Sequence, residues 1–218
     1  MAAGATGDVA ARIRRTILSG DFAPGQRLVE ADLCELYGAS RSAVRQALRE
    51  LVGEGLVEVE RNKGARVRVV TTAEAVEITE VRMVVEGLLA AKAAERVTPE
   101  QAERLLDLKR AMRERVEAHD PLAYSDLNAE LHALVREIAA QRTARDILVR
   151  LQGQLVRHQF RLSLQPGRAA ASLVQHERIV DAIVARDPAA AESAMRDHLR
   201  DVITQIAKST AADVLARA

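Results

Sequence analysis

The chain has no tryptophan, two tyrosines and two phenylalanines, so aromatic residues make up only 2% of its 218 positions. Its cores must therefore be filled by Leu, Val, Ile and Ala, a palette that favours helices over sheets. The single cysteine, Cys34, excludes an internal disulfide and fits a reducing compartment such as the cytoplasm. No run approaches the roughly 18 uninterrupted apolar residues that a membrane span requires. Met1 to Asp8 lacks a basic region followed by an apolar stretch, so no signal peptide is expected. A dominant charge is lacking too, since 32 Lys and Arg stand against 31 Asp and Glu.

What is present is apolar content, at 48%, which is enough for a buried core and excludes a disordered composition. The length fits two modest domains or one large one. Residues 1–69 hold 11 Lys and Arg against 9 Asp and Glu, and the rest of the chain is slightly acidic. That asymmetry is too mild to identify a partner by itself.

The apolar period predicts a first helix from about Asp8 to Ser19, with Asp8 as N-cap and Gly20 as its end. Pro24-Gly25 reads as a turn, and a short helix follows from Glu30 to Tyr37, stopped by Gly38. Ser40 then caps a helix running to about Glu54, closed by Gly55. Two short β-branched runs, "LVEVE" and "ARVRVV", flank "RNKG" and predict a two-stranded hairpin. Beyond a linker at 71–75, helices are expected at about 73–96, 99–118, 121–140, 143–164, 169–186 and 188–216. Pro99, Pro121 and Pro188 occupy first-turn positions, and Gln165-Pro166-Gly167 is a break. The expected fold is mainly α. A winged helix-turn-helix (three helices plus the hairpin) covers 1–70, and an all-α bundle of about six helices covers 76–218.

Helix, short turn, helix and hairpin is an arrangement that reads DNA. Arg41, Arg45 and Arg49 recur every four residues on the second helix, opposite its apolar stripe. Such a stripe alone is more often a solvated face, but its place in a helix-turn-helix followed by a basic-tipped hairpin favours nucleic acid. Residues early in a reading helix reach base edges in the major groove, which assigns Ser40, Arg41, Ser42 and Arg45 to contacts with bases or phosphates. Arg49 falls a turn later, against the backbone. Lys63 and Gly64 at the wing tip suit close approach to a minor groove.

The segment from Ile17 to Val67 resembles the DNA-binding domain of GntR-family bacterial repressors. Ser40, Arg41, Val44, Arg45, Ala47, Leu48, Leu51, Gly55, Leu56 and the wing glycine Gly64 carry the likeness. Ser42-Ala43 departs from the Thr-Pro found in many members. The resemblance implies double-stranded DNA with a palindromic operator as partner, bound by a homodimer in a bacterial cytoplasm, with no membrane association.

In the helical part, His132, His176 and His198 lie on three different helices, each in register with its apolar stripe. A lone inward histidine is usually a hydrogen-bonded core residue. Three on separate inward faces are costly to bury unless something satisfies them, and a divalent metal held by neutral imidazoles does so. The stretches "EVRMVVEGLLAAKAAE", "DLNAELHALVREIA" and "QHERIVDAIVARDPAAAESAMRDHL" resemble the FCD-type effector domain of the FadR subfamily. That likeness implies a divalent transition metal (Zn, Ni or Mn) on His132, His176 and His198, with Asn128 where relatives carry aspartate. It also implies a small carboxylate effector. Arg82 with Glu86 matches a family pair, and Arg82 reads equally as a carboxylate fork or as an i,i+4 surface pair. The leading expectation is a ligand-responsive repressor, not an enzyme. A metal-dependent hydrolase with a DNA-binding appendage and a constitutive DNA-binding protein whose bundle only dimerises are the competing readings.

Overall fold

The computed structural model describes residues 3–60 and 64–215. The described residues form nine helices and three short strands, in two compact units: Met1–Thr71 with Gln152–Arg157, and Thr72–Leu151 with His158–Ala218.

The first unit opens with α1 (Ala3–Leu18), followed by β1 (Arg27–Leu28), α2 (Glu30–Tyr37), α3 (Arg41–Gly53), β2 (Val57–Glu60) and β3 (Gly64–Val67). Helix α1 already runs through Asp8, which therefore is not its N-cap. The hairpin is also wider than its sequence announces. Arg27 pairs with Arg66 and Leu28 with Ala65, making a three-stranded antiparallel sheet in the order β1-β3-β2. Gly25 N–H donates to the Val67 carbonyl at 2.9 Å, and Val67 N–H to that of Gln26 at 2.9 Å. The Pro24-Gly25 turn thus lays a two-residue strand against the wing.

Val9, Ile13, Leu33, Val44, Leu48, Leu51, Leu56 and Val67 share one core beneath α1–α3 and the sheet. Arg14 of α1 clamps both Glu50 of α3 (3.1 Å) and Glu54, the residue that caps its C-terminus. The turn between α2 and α3 is closed by Gly38 at φ 62°, a conformation that costs glycine little. Ser40 caps α3, its Oγ accepting from Ala43 N–H at 3.2 Å.

The second unit is entirely helical: α4 (Thr72–Arg96), α5 (Pro99–Glu117), α6 (Pro121–Ala139), α7 (Arg142–Ser163), α8 (Arg168–Val184) and α9 (Pro188–Leu215). Helix α4 starts at Thr72, one residue before the start expected at about 73, and takes in most of the linker expected at 71–75. Thr98 and Gln101 make a reciprocal capping box ahead of Pro99, and Asp120 caps α6 ahead of Pro121. Small residues line α4, and a Cβ added at Gly87 would come within 3.0 Å of the Arg196 side chain of α9. Helices α4 and α9 therefore pack closely there. Leu89, Leu105, Met112, Leu131, Ile179, Ile183 and Met195 fill the core of the bundle.

Candidate metal centre and nucleic-acid interface

The three histidines come from α6, α8 and α9 because each sits in the apolar stripe that its helix turns inward. They are 7%, 1% and 4% exposed for His132, His176 and His198. Their ring centroids lie 4.4 to 5.5 Å apart, and one ring nitrogen from each falls within 4.8 Å of the others.

Each imidazole is held by its Nδ1. His132 Nδ1 lies 2.8 Å from Glu86 Oε2, and His198 Nδ1 lies 2.8 Å from Gln175 Oε1. Both partners are acceptors, so both rings carry their proton on Nδ1 and leave the Nε2 lone pair free. His176 Nδ1 lies 2.8 Å from the Tyr124 hydroxyl, with Ser172 Oγ at 3.4 Å. Burial pushes the Tyr124 phenol up to about 12, so this hydroxyl stays neutral and can accept from the ring. Burial likewise pushes the imidazoles of His176 and His198 well below the ordinary histidine value, and the neighbouring rings and Arg168 add to it. Both are neutral at neutral pH, the form that binds metals.

Among the described residues, two buried acceptor atoms here lack any hydrogen-bond partner, His176 Nε2 and Asn128 Oδ1. Asn128 precedes His132 by one turn on the same face of α6. Buried acceptors without donors are uncommon and costly, and a cation is the group that would satisfy them. Three neutral imidazoles and one amide oxygen are a donor set suited to a divalent transition ion. The residues present therefore fit the metal that the sequence resemblance implies.

Glu86 is the hinge of this arrangement. Burial alone would raise its carboxyl, but the charge of Arg82 and the hydrogen bond from His132 outweigh that and hold it well below the usual carboxylate range. Arg82 Nε and Nη2 reach Glu86 Oε1 at 2.8 and 2.7 Å while Glu86 Oε2 faces His132. The Arg82–Glu86 pair is thus an i,i+4 pair, but a buried one, with side chains 5% and 3% exposed. Glu177, next in sequence to His176, instead pairs with Arg113 at 2.5 Å.

On the first unit, Ser40, Arg41, Ser42, Arg45 and Arg49 are all exposed along α3, opposite the buried Val44, Ala47, Leu48 and Leu51. Arg45 Nε donates to Glu30 of α2 at 2.8 and 3.0 Å, and Arg49 Nη2 to Gln46 at 2.8 Å. Gly64 is exposed with φ +83° at the start of β3. Lys63 lies outside the described residues. Sequence reasoning missed Glu30, Tyr124 and Gln175, whose contacts to Arg45, His176 and His198 form between different helices.

The sequence profile of the bacterial regulatory proteins of the gntR family matches residues 5–67, and that of the FCD domain matches residues 77–201. The chain belongs to the gntR family of bacterial regulators, in its FCD-containing form. The HTH-type transcriptional repressor RspR of Escherichia coli K12 is 27% identical over 190 residues, covering 87% of this chain and 83% of RspR. An HTH-type transcriptional regulator from an unstable DNA locus of Streptomyces ambofaciens is 32% identical over 202 residues, covering 91% and 84%. Among solved structures, E. coli McbR/YncC superposes with a TM-score of 0.79 at 20% identity over 94% of this chain and 98% of its own, a likeness of fold. The family consists of DNA-binding transcriptional regulators and not of enzymes, so the hydrolase reading is not favoured. No described helix is long and apolar enough to cross a membrane.

Proposed function

We propose that this gntR-family regulator is a homodimeric, ligand-responsive repressor whose helical unit senses a small carboxylate in a metal-containing pocket. The observation that carries the reading is the trio of buried imidazoles, each braced at Nδ1, beside two buried acceptors with no donor. His132, His176, His198 and Asn128 would hold the ion, with Zn, Ni or Mn as candidates. When bound, it supplies a Lewis-acidic position for a carboxylate oxygen. The chain's own residues set the pocket: Glu86, Tyr124 and Gln175 orient the rings, and the Arg82–Glu86 pair fixes the charge beside His132.

DNA reading falls to Ser40, Arg41, Ser42 and Arg45, with Arg49 on the backbone and Lys63 and Gly64 at the wing. Support comes from the exposed arginine face over a rigid core. Homodimerisation draws support from Val81, Val84 and Leu88, 50%, 52% and 44% exposed in a stripe on α4. A two-fold pair of reading helices matches a palindromic site. Repression draws support from RspR, named a repressor. An effector changes DNA affinity only through its different affinity for two arrangements of the dimer.

Metal analysis of the full chain tests the proposal. The purified protein should hold about one Zn, Ni or Mn per chain after loading and desalting, and His176→Ala should lose it while keeping a native far-UV circular dichroism spectrum. A native chain that retains none of the three ions sinks the pocket.

A further inference from the structure

The guanidinium of Arg136 is unaccounted for by the site described so far. Arg136 follows His132 by four residues on α6, which puts both on one face about 6 Å apart along the axis. The side chain is half-buried, and its Nη1 is sealed from solvent with no hydrogen-bond partner. Burial pulls it below the ordinary arginine value; the charge of Glu86 opposes that and the charge of Arg82 adds to it, so both lie within electrostatic reach. An arginine remains protonated even so. Among the described residues, the two arginines that act on the histidines and Glu86 are answered. Arg82 spends its Nε and Nη2 on Glu86, and Arg168 is paired with Asp201. Glu86 is engaged by Arg82 and His132, and it acts on Arg136 through its charge without a hydrogen bond to it.

A half-buried guanidinium with one sealed nitrogen left without an acceptor is uncommon, and a fork of donors that matches a carboxylate bidentately is suited to an anion supplied from outside. We propose that Arg136, rather than Arg82, is the anchor for the effector's carboxylate, and that the effector carries a second oxygen function for the metal. This rests on the metal-pocket reading above. The separation of about one helical turn between Arg136 and the His132 position selects a short diacid or hydroxy acid over a long-chain acid.

The test uses the full chain loaded with Zn, titrated calorimetrically with malonate and with succinate as probes, alongside Arg136→Gln and Arg136→Lys. The expected result is an affinity at least tenfold lower for Arg136→Gln, a smaller loss for Arg136→Lys, and unchanged metal content in both. Arg82→Gln in the same assay separates the two arginines, because it should lower melting temperature more than diacid affinity. Equal diacid binding by Arg136→Gln and native protein overturns the anchor while leaving the metal pocket standing. Binding of neither diacid by the metal-loaded native chain also overturns it. A native chain that takes up no metal overturns the pocket itself, which metal analysis reports before any acid is added.

Discussion

Glu86→Gln should destabilise the helical unit strongly, and the size of the effect follows from what the carboxylate touches. Its side chain is 3% exposed, takes both Arg82 contacts on one oxygen and receives His132 on the other. Removing the charge leaves Arg82, itself 5% exposed, as a buried cation with only a neutral partner, and Arg136 nearby adds a second. Breaking a buried pair from one side costs about 3–5 kcal/mol. At about 2–4 °C per kcal/mol for a unit of this size, the melting temperature should fall by about 6–20 °C. The assay is thermal unfolding followed by far-UV circular dichroism on chelator-treated protein, so that metal binding does not contribute.

The double variant Arg82→Met with Glu86→Leu sharpens the test. It removes cation and anion together, an exchange that is often nearly neutral, so it should melt at least about 4 °C above Glu86→Gln. Its metal affinity should nonetheless stay about 10–100-fold below native, because His132 has lost the acceptor that orients it. A Glu86→Gln protein melting within about 2 °C of native refutes the reasoning. So does a double variant no more stable than the single one.

Two further outcomes concern the other unit and a helix end. Arg45→Ala should lower affinity for a site selected from random duplexes by about tenfold or more, the value of one good base contact, with the protein still folded; unchanged affinity in a binding titration would remove α3 as the reading helix. Ala140 ends α6 at φ 49°, a conformation that costs a residue bearing a Cβ about 1–2 kcal/mol. Ala140→Gly should therefore raise the melting temperature by about 2–8 °C, and a drop would show that the methyl group is needed there.

Helix positions were legible wherever a backbone rule left a mark. Pro99, Pro121 and Pro188 each occupy a first turn, and Gly38 and Ser40 bracket the turn before α3. The misses have physical causes. Asp8 has the chemistry of a cap, but nothing breaks the helix before it, so α1 runs through. Strand β1 is two residues long and owes its existence to a partner 39 positions away, Arg66 for Arg27, which no local pattern reveals. Helices α5, α6 and α8 end on His119, Ala140 and Arg186 at positive φ, without the glycine that usually signals such an end.

The candidate site divides the same way. The inward register of His132, His176 and His198 follows from the helical period and needed no structure. Their bracing does not, because Glu86 meets His132 across 46 positions and Tyr124 meets His176 across 52. Those contacts are made by packing α4, α6 and α8 into one core, and any of several polar residues along α4 or α6 was equally eligible beforehand.

The charges around the imidazoles give Asn128 a second meaning under the proposed reading. Arg82 is cancelled by Glu86 and Arg168 by Asp201, His176 and His198 are neutral, and the sealed Nη1 of Arg136 is left over. An aspartate at position 128 would answer part of the charge of a bound divalent ion. With asparagine there, the ion's full charge and that of Arg136 add in the same pocket, and an anion from outside would balance them. The substitution should thus weaken the ion's hold when it is alone and strengthen it when a carboxylate is present. Because coupling between two ligands is reciprocal, the metal must favour the acid by the same factor as the acid favours the metal. A pocket built this way is filled by the pair together far more readily than by either alone.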